Sequence, residues 1–190
     1  MSRAYKEDEL FEKKDYSTFP LPAGDYDNCT FVGCNFSGSD LSESRFSECT
    51  FKGCNLATAK LTKTAFQDTT FTECKLTGLH FEDCSEFLFS PTFDHCVLQF
   101  SSFAERKLKK ITFRHCNLQE VDFTGADLTG ALFDHCDLTR AHFEHSVLEK
   151  ADFRTAFNYS IDPELNKLKK ARFSTSGLSG LLDKYDLDID

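Results

Sequence analysis

From Phe31 to Phe81 every fifth residue is Phe or Leu, and two positions before each stands a small or slender residue. After a two-residue slip the same ruler resumes at Leu88 and runs to Phe153. All nine cysteines obey it: Cys29, Cys34, Cys49, Cys54, Cys74, Cys96, Cys116 and Cys136 fill the slot two residues before a ruler position, and Cys84 keeps the first phase just before the slip. A period of five fits neither an amphipathic helix, which repeats its apolar face at i, i+3, i+4 and i+7, nor a half-buried strand, which alternates. It fits a short strand with two inward residues, followed by a turn of three polar ones.

Four such sides closing a square need 20 residues, and the chain carries that longer period independently. Phe31, Phe51, Phe71, Phe93, Phe113, Phe133 and Phe153 are 20 apart except for one step of 22, and Cys34, Cys54, Cys74, Cys96, Cys116 and Cys136 form a second column with the same exception. The two extra residues therefore belong between Phe81 and Leu88, and the slip is placed at Glu82 to Phe87.

Stretches such as ADLTGALFDHCDLTRAHF and CTFKGCNLATAKL resemble the A(D/N)LXX pattern of pentapeptide-repeat proteins, over residues 29 to 157. The resemblance implies an all-β fold, a right-handed quadrilateral β-helix. The chain then divides into an N-terminal cap with a partial coil (1–28), the coils (29–157) and a C-terminal cap or dimerisation segment (158–190). Parallel strands stacked about 4.8 Å apart give the Phe31–Phe153 column a length of roughly 29 Å.

The rest of the composition restricts function. No run of 18 apolar residues is present and the N-terminus has no apolar signal region, so we expect a cytoplasmic protein with no membrane contact and with reduced thiols. Cysteine spacings of 5 and 20 are not those of zinc sites, and Cys reads as a small core filler. His95, His115 and His135 are also 20 apart, each before a column cysteine; they occupy outward turns, so a histidine and its neighbouring inward thiol do not share an ion. The bland reading is a stack of turn residues, the alternative a histidine-only surface site; no metal, cofactor or catalytic residue is expected, and no phosphate-loop, nucleophile-elbow or zinc-protease motif occurs.

Two regions depart from the monotony. The slip offers Glu82, Asp83, Glu86, Phe87 and Ser90 as candidate partner-binding residues, because irregular segments on a rigid scaffold are where binding residues concentrate. The competing reading is a bulge that absorbs a register fault, with Phe87 or Phe89 folded back as packing. At the ends, Tyr5 to Lys14 reads as a short charged helix, and Asp162-Pro163-Glu164 as a helix start. Leu178, Leu181, Leu182 and Tyr185 fit one helix face, followed by Leu187 and Ile189; this stripe either caps its own rod or forms a homodimer contact, and the dimer is favoured. In Qnr and MfpA-type pentapeptide proteins a C-terminal helix makes such a dimer.

The same resemblance implies a partner. Qnr and MfpA-like proteins are acidic rods that imitate duplex DNA and engage DNA gyrase or topoisomerase IV, giving quinolone protection. A net charge of −9 agrees in sign and disfavours direct nucleic-acid binding. However, that charge is spread thinly over all three segments, and Lys107, Lys109 and Lys110 make a local basic patch. A protein-interaction scaffold with an unrelated partner, or an immunity factor against another gyrase-directed toxin, are the alternatives. One continuous acidic face would favour the mimic, and alternating patches the scaffold.

Overall fold

The computed structural model describes residues 3–188. It is a right-handed quadrilateral β-helix built from parallel coils. Among the described residues are eleven short strands: β1 Ala4–Glu7, β2 Leu10–Glu12, β3 Gly24–Asp27, β4 Thr30–Val32, β5 Arg45–Ser47, β6 Thr50–Lys52, β7 Ala65–Gln67, β8 Thr70–Thr72, β9 Thr92–Asp94, β10 Thr112–Arg114 and β11 Leu132–Asp134. One side of the rod, the first face, is the seven-stranded sheet in the order β11-β10-β9-β8-β6-β4-β2, all parallel. The second and third faces, met next along the chain, are ladders of single bridges such as Asn35↔Asn55 and Ser102↔Asp122. The fourth is the sheet β1-β3-β5-β7, continued by bridges from Lys107↔Asp127 to Val147↔Lys167.

Each pentad forms this way because its middle residue and the one two before it point inward while the rest face water. The register of one coil on the next pairs Phe31 with Phe51 and Phe113 with Phe133, and Phe71 with Phe93 across the slip. Identical residues therefore stack. Rings in the Phe column lie 4.7 to 5.4 Å apart from Phe11 through Phe173. At about 4.8 Å per coil, that longer column spans roughly 38 Å.

A second aromatic column meets the first edge-on, and it changes sides. Above the slip it is Tyr26, Phe46 and Phe66 on the fourth face. Below it is Phe81, Phe103, Phe123 and Phe143 on the third. Leu41 and Leu61, or Leu108, Leu128 and Leu148, fill whichever face the rings leave.

The small-residue slot does more than fill space. Cys54 Sγ lies 3.3 Å from the Phe31 carbonyl and Cys74 Sγ 3.3 Å from that of Phe51. Thr64 Oγ1 donates to Leu41 O at 2.8 Å, Ser101 Oγ to Leu76 O at 2.8 Å and Ser146 Oγ to Phe123 O at 2.7 Å. Cys, Ser and Thr share the slot because each carries a donor aimed at the coil before. The thiols are buried and free of disulfides.

Turning the chain at each corner needs a left-handed residue, and most corners use one that is not glycine: Asn28, Glu48 and Asp68 along one edge, His95, His115 and His135 along another. The conformation costs about 1–2 kcal/mol per residue. It is offset because most corner N–H groups reach the next coil, as His95 N does to Arg114 O at 2.9 Å.

Three expectations are corrected. Tyr5 to Lys14 is not a helix: it holds β1 and β2, which pair with β3 and β4 and start the stack earlier. Asp162-Pro163-Glu164 starts no helix either; Asp162 Oδ1 takes the Glu164 N–H at 2.8 Å in a tight turn, and the chain resumes coiling through Lys167 and Arg172. The tail forms 3₁₀ helices, Thr175–Leu181 and Asp183–Tyr185. The proposed apolar stripe does not bury as one face: Leu181 packs on the core while Leu178, Leu182, Tyr185 and Leu187 stay exposed.

Candidate functional site

The regular 20-residue register survives the first part of the proposed slip. Phe81–Asp83 is a single 3₁₀ turn, Cys84 is buried in its column, and Ser85 N still donates to Thr64 O at 2.9 Å. Pairing returns with Ser90 N to Phe66 O at 3.0 Å and Thr92 N to Thr69 O at 2.9 Å. The extra residues therefore loop out between Ser85 and Ser90, not from Glu82. The ruler resumes at Phe93, with Pro91 buried in the slot before it, rather than at Leu88, which is 47% exposed with φ +54°.

The two loop aromatics part ways. Phe89 folds back, edge-on to Phe81 at 6.2 Å. Phe87 does not: it is 72% exposed beside Leu88, an apolar tip raised from the rod.

The residue that fixes this loop was not foreseen. Arg106 occupies a small-residue slot yet is only 5% exposed. Its Nη1 and Nη2 donate to the carbonyls of Cys84 and Ser85 at 2.9 and 3.0 Å, and its guanidinium lies 4.3 Å from the Phe89 ring centre. The carbonyls left without coil partners by the insertion thus receive donors from within the rod. The available signal was a long cation where every other coil has Ala, Cys, Ser or a similar small residue. At the far end Ser90 Oγ bonds Asp68 Oδ1 at 2.8 Å and accepts the Asp68 N–H at 2.8 Å, so Ser90 acts as a clamp. Glu82 is half-buried and bonded to His80 at 2.9 Å, while Asp83 and Glu86 are exposed.

The coils below the loop separate charge by face. On the third face, the register His80–Ser102–Asp122–His142 aligns Glu82, Asp83, Glu105, Asp122 and Glu144, and no lysine or arginine lies among the outward residues of that face in those coils. Around the corner, the fourth face stacks Lys107, Lys109 and Lys110 above Lys150, Lys167, Lys169 and Lys170. Asp127 on that face is engaged by Lys109 at 3.3 Å. The basic patch expected at Lys107 to Lys110 is therefore matched by a second one further down the same face, with Asp127 and Glu149 between them, and the loop rises near the boundary with the acidic face.

The tail lies against its own rod. Buried Tyr159 is covered so closely that a Cβ on Gly177 or Gly180 would come within 2.0 or 2.1 Å of it. Lys184 pairs with Asp162 and Glu164 at 2.9 and 2.8 Å, and Tyr185 Oη donates to Glu164 at 3.0 Å. Of the proposed dimer residues, Ile189 lies outside the described residues.

A rigid four-sided β-solenoid with charge sorted by face and one pinned loop defines a class of protein, the pentad-repeat rod. The profile described as "Pentapeptide repeat region" matches residues 25–87 and 86–156, and the chain belongs to the pentapeptide-repeat family. No curated protein matches it by sequence. Among solved structures it is similar to QnrB1, a plasmid-mediated fluoroquinolone resistance protein, with 20% identity, TM-score 0.45 and coverage of 97% of this chain and 99% of that one. It is also similar to HetL, a pentapeptide repeat protein involved in heterocyst differentiation regulation in the cyanobacterium Nostoc sp. (18% identity, TM-score 0.36, 90% and 89% covered). Among the described residues no helix is long and apolar enough to cross a membrane.

Proposed function

We propose that the protein is a non-enzymatic docking rod that engages the DNA-binding surface of a type II topoisomerase, DNA gyrase or topoisomerase IV. The observation that carries this is the third face, where Asp83, Glu105 and Glu144 stand exposed with Asp122 between them and no intervening cation. A surface built to receive phosphates attracts such a row, and charge of one sign steers the encounter. The Phe87–Leu88 tip beside it supplies the apolar anchor that a charged face lacks. The contact is one-sided: duplex DNA is negative all round, whereas this rod turns positive at the next corner.

That lysine face favours a second reading, a scaffold that holds an unrelated acidic partner or bridges two proteins of opposite charge. The readings separate in one binding experiment. Immobilised protein is exposed to purified gyrase at low and high salt, with Asp83→Lys/Glu105→Lys/Glu144→Lys and Phe87→Ser as variants. The topoisomerase reading expects association that slows as salt rises past physiological strength, where the Debye length falls below about 8 Å. It expects the triple variant to lose that association and Phe87→Ser to dissociate faster. No complex with wild-type protein at low salt sinks it.

A further inference from the structure

We propose that Asp94, His95 and His115 form a surface site for a divalent first-row transition ion such as zinc, cobalt or nickel. Sequence alone offered a histidine ladder with no convergent partner. The register adds one: Asp94, outward at the end of β9, directs Oδ1 to within 2.9 Å of His95 Nδ1 and 3.8 Å of His115 Nδ1. One ligand atom from each of the three residues lies within 4.8 Å of the others.

The backbone presents these groups on a fixed frame. His95 and His115 are left-handed corner residues, φ +51° and +49°, each tied to the next coil through its N–H. Their rings stack 4.5 Å apart at 18°. Two parallel rings so placed do not yet chelate, because bonds of about 2.0–2.2 Å require the donor atoms to converge. Both side chains are about half exposed, so rotation about their side-chain bonds brings the nitrogens together without moving the coils. Imidazole and carboxylate suit zinc, cobalt and nickel, and three protein ligands leave water in the remaining positions.

The next rung is less suited. His135 stacks on His115 at 5.2 Å, but its carboxylate neighbour Asp134 already accepts from Thr155 Oγ1 at 3.0 Å as well as facing His135 at 2.8 Å. One charge opposes the site: Arg114 is the register neighbour of both Asp94 and Asp134. Its removal should strengthen binding.

The test is titration of the reduced, full-length protein with zinc by calorimetry and with cobalt(II) by absorption. Asparagine replaces histidine because it tolerates the left-handed corner. We expect one equivalent to bind, weakening at least about tenfold in His95→Asn and in His115→Asn, since even outer partners of a metal site are worth about 10–100-fold. Arg114→Ala should bind more tightly and His142→Asn as wild type. Binding should also fall as pH drops, because the imidazoles must be free of protons. Equal affinity in the His95→Asn/His115→Asn double variant, or a cobalt spectrum with thiolate charge-transfer bands, would overturn the assignment, the latter by moving the ion to the cysteines. Unchanged thermal melting of the variants without metal keeps a folding defect from imitating loss of the site.

Discussion

A single ring shows how little slack the interior has. Phe113 stacks between Phe93 and Phe133 at 5.2 and 5.4 Å and meets Phe103 and Phe123 edge-on at 5.8 and 5.9 Å. Coils above and below hold the backbone spacing, so the void left by Phe113→Ala does not collapse, and a loss of about 3–5 kcal/mol is expected in urea unfolding. Phe87→Ser, on an exposed tip, should change stability by less than about 0.5 kcal/mol. The thiols give a pH signature. Burial pushes Cys49 from 9.0 up to about 12, so the folded chain keeps a proton that the unfolded chain has lost. Stability from this group is complete below about pH 9 and falls as pH rises toward 12. Unfolding midpoints measured from pH 8 to 11 should decline only over the upper part of that range, and thiol labelling should be slow until the protein unfolds. A decline as steep between pH 8 and 9 as above it would contradict the burial argument.

At the scale of elements, the coils were legible because every pentad repeats one physical instruction, two inward residues and a turn. The Phe and Cys columns followed from spacing alone. The loop was legible as an interruption but not in its bounds. Leu88 satisfies the five-residue count, yet Pro91 and Phe93 win the interior because pairing resumes at Ser90 and Thr92. Arg106 escaped because a cation in a core slot makes sense only once the carbonyls of Cys84 and Ser85 are known to need donors. The tail was legible as helical but not as 3₁₀: residues 178, 181, 182 and 185 also fit a 3.6-residue period, and only the close packing of Gly177 and Gly180 on Tyr159 sets the tighter form apart. Arg106→Ala should release the loop. Proteolytic nicking within residues 85–90 and amide exchange there should rise clearly more than in the rest of the rod, since each orphaned carbonyl costs about 1–3 kcal/mol. Unchanged protection would mean that Ser90 alone holds it.

For the whole molecule, two surfaces stand exposed: the acidic face with its loop tip, and the outward Leu178, Leu182, Tyr185 and Leu187 of a tail already seated on its own rod. We propose that these tail residues meet a second copy across a two-fold axis. Light scattering should then give a dimer at micromolar concentration and a monomer for Leu182→Glu/Leu187→Glu; a wild-type monomer at high micromolar concentration would leave the tail as a cap only. We propose above all that the charge-sorted rod acts on a type II topoisomerase. It is tested most directly by DNA supercoiling with purified gyrase across a protein titration, with and without a quinolone. Micromolar protein should either slow supercoiling or relieve quinolone inhibition, and Asp83→Lys/Glu105→Lys/Glu144→Lys should do neither while remaining folded. Supercoiling and its quinolone inhibition both unchanged by wild-type protein would contradict it.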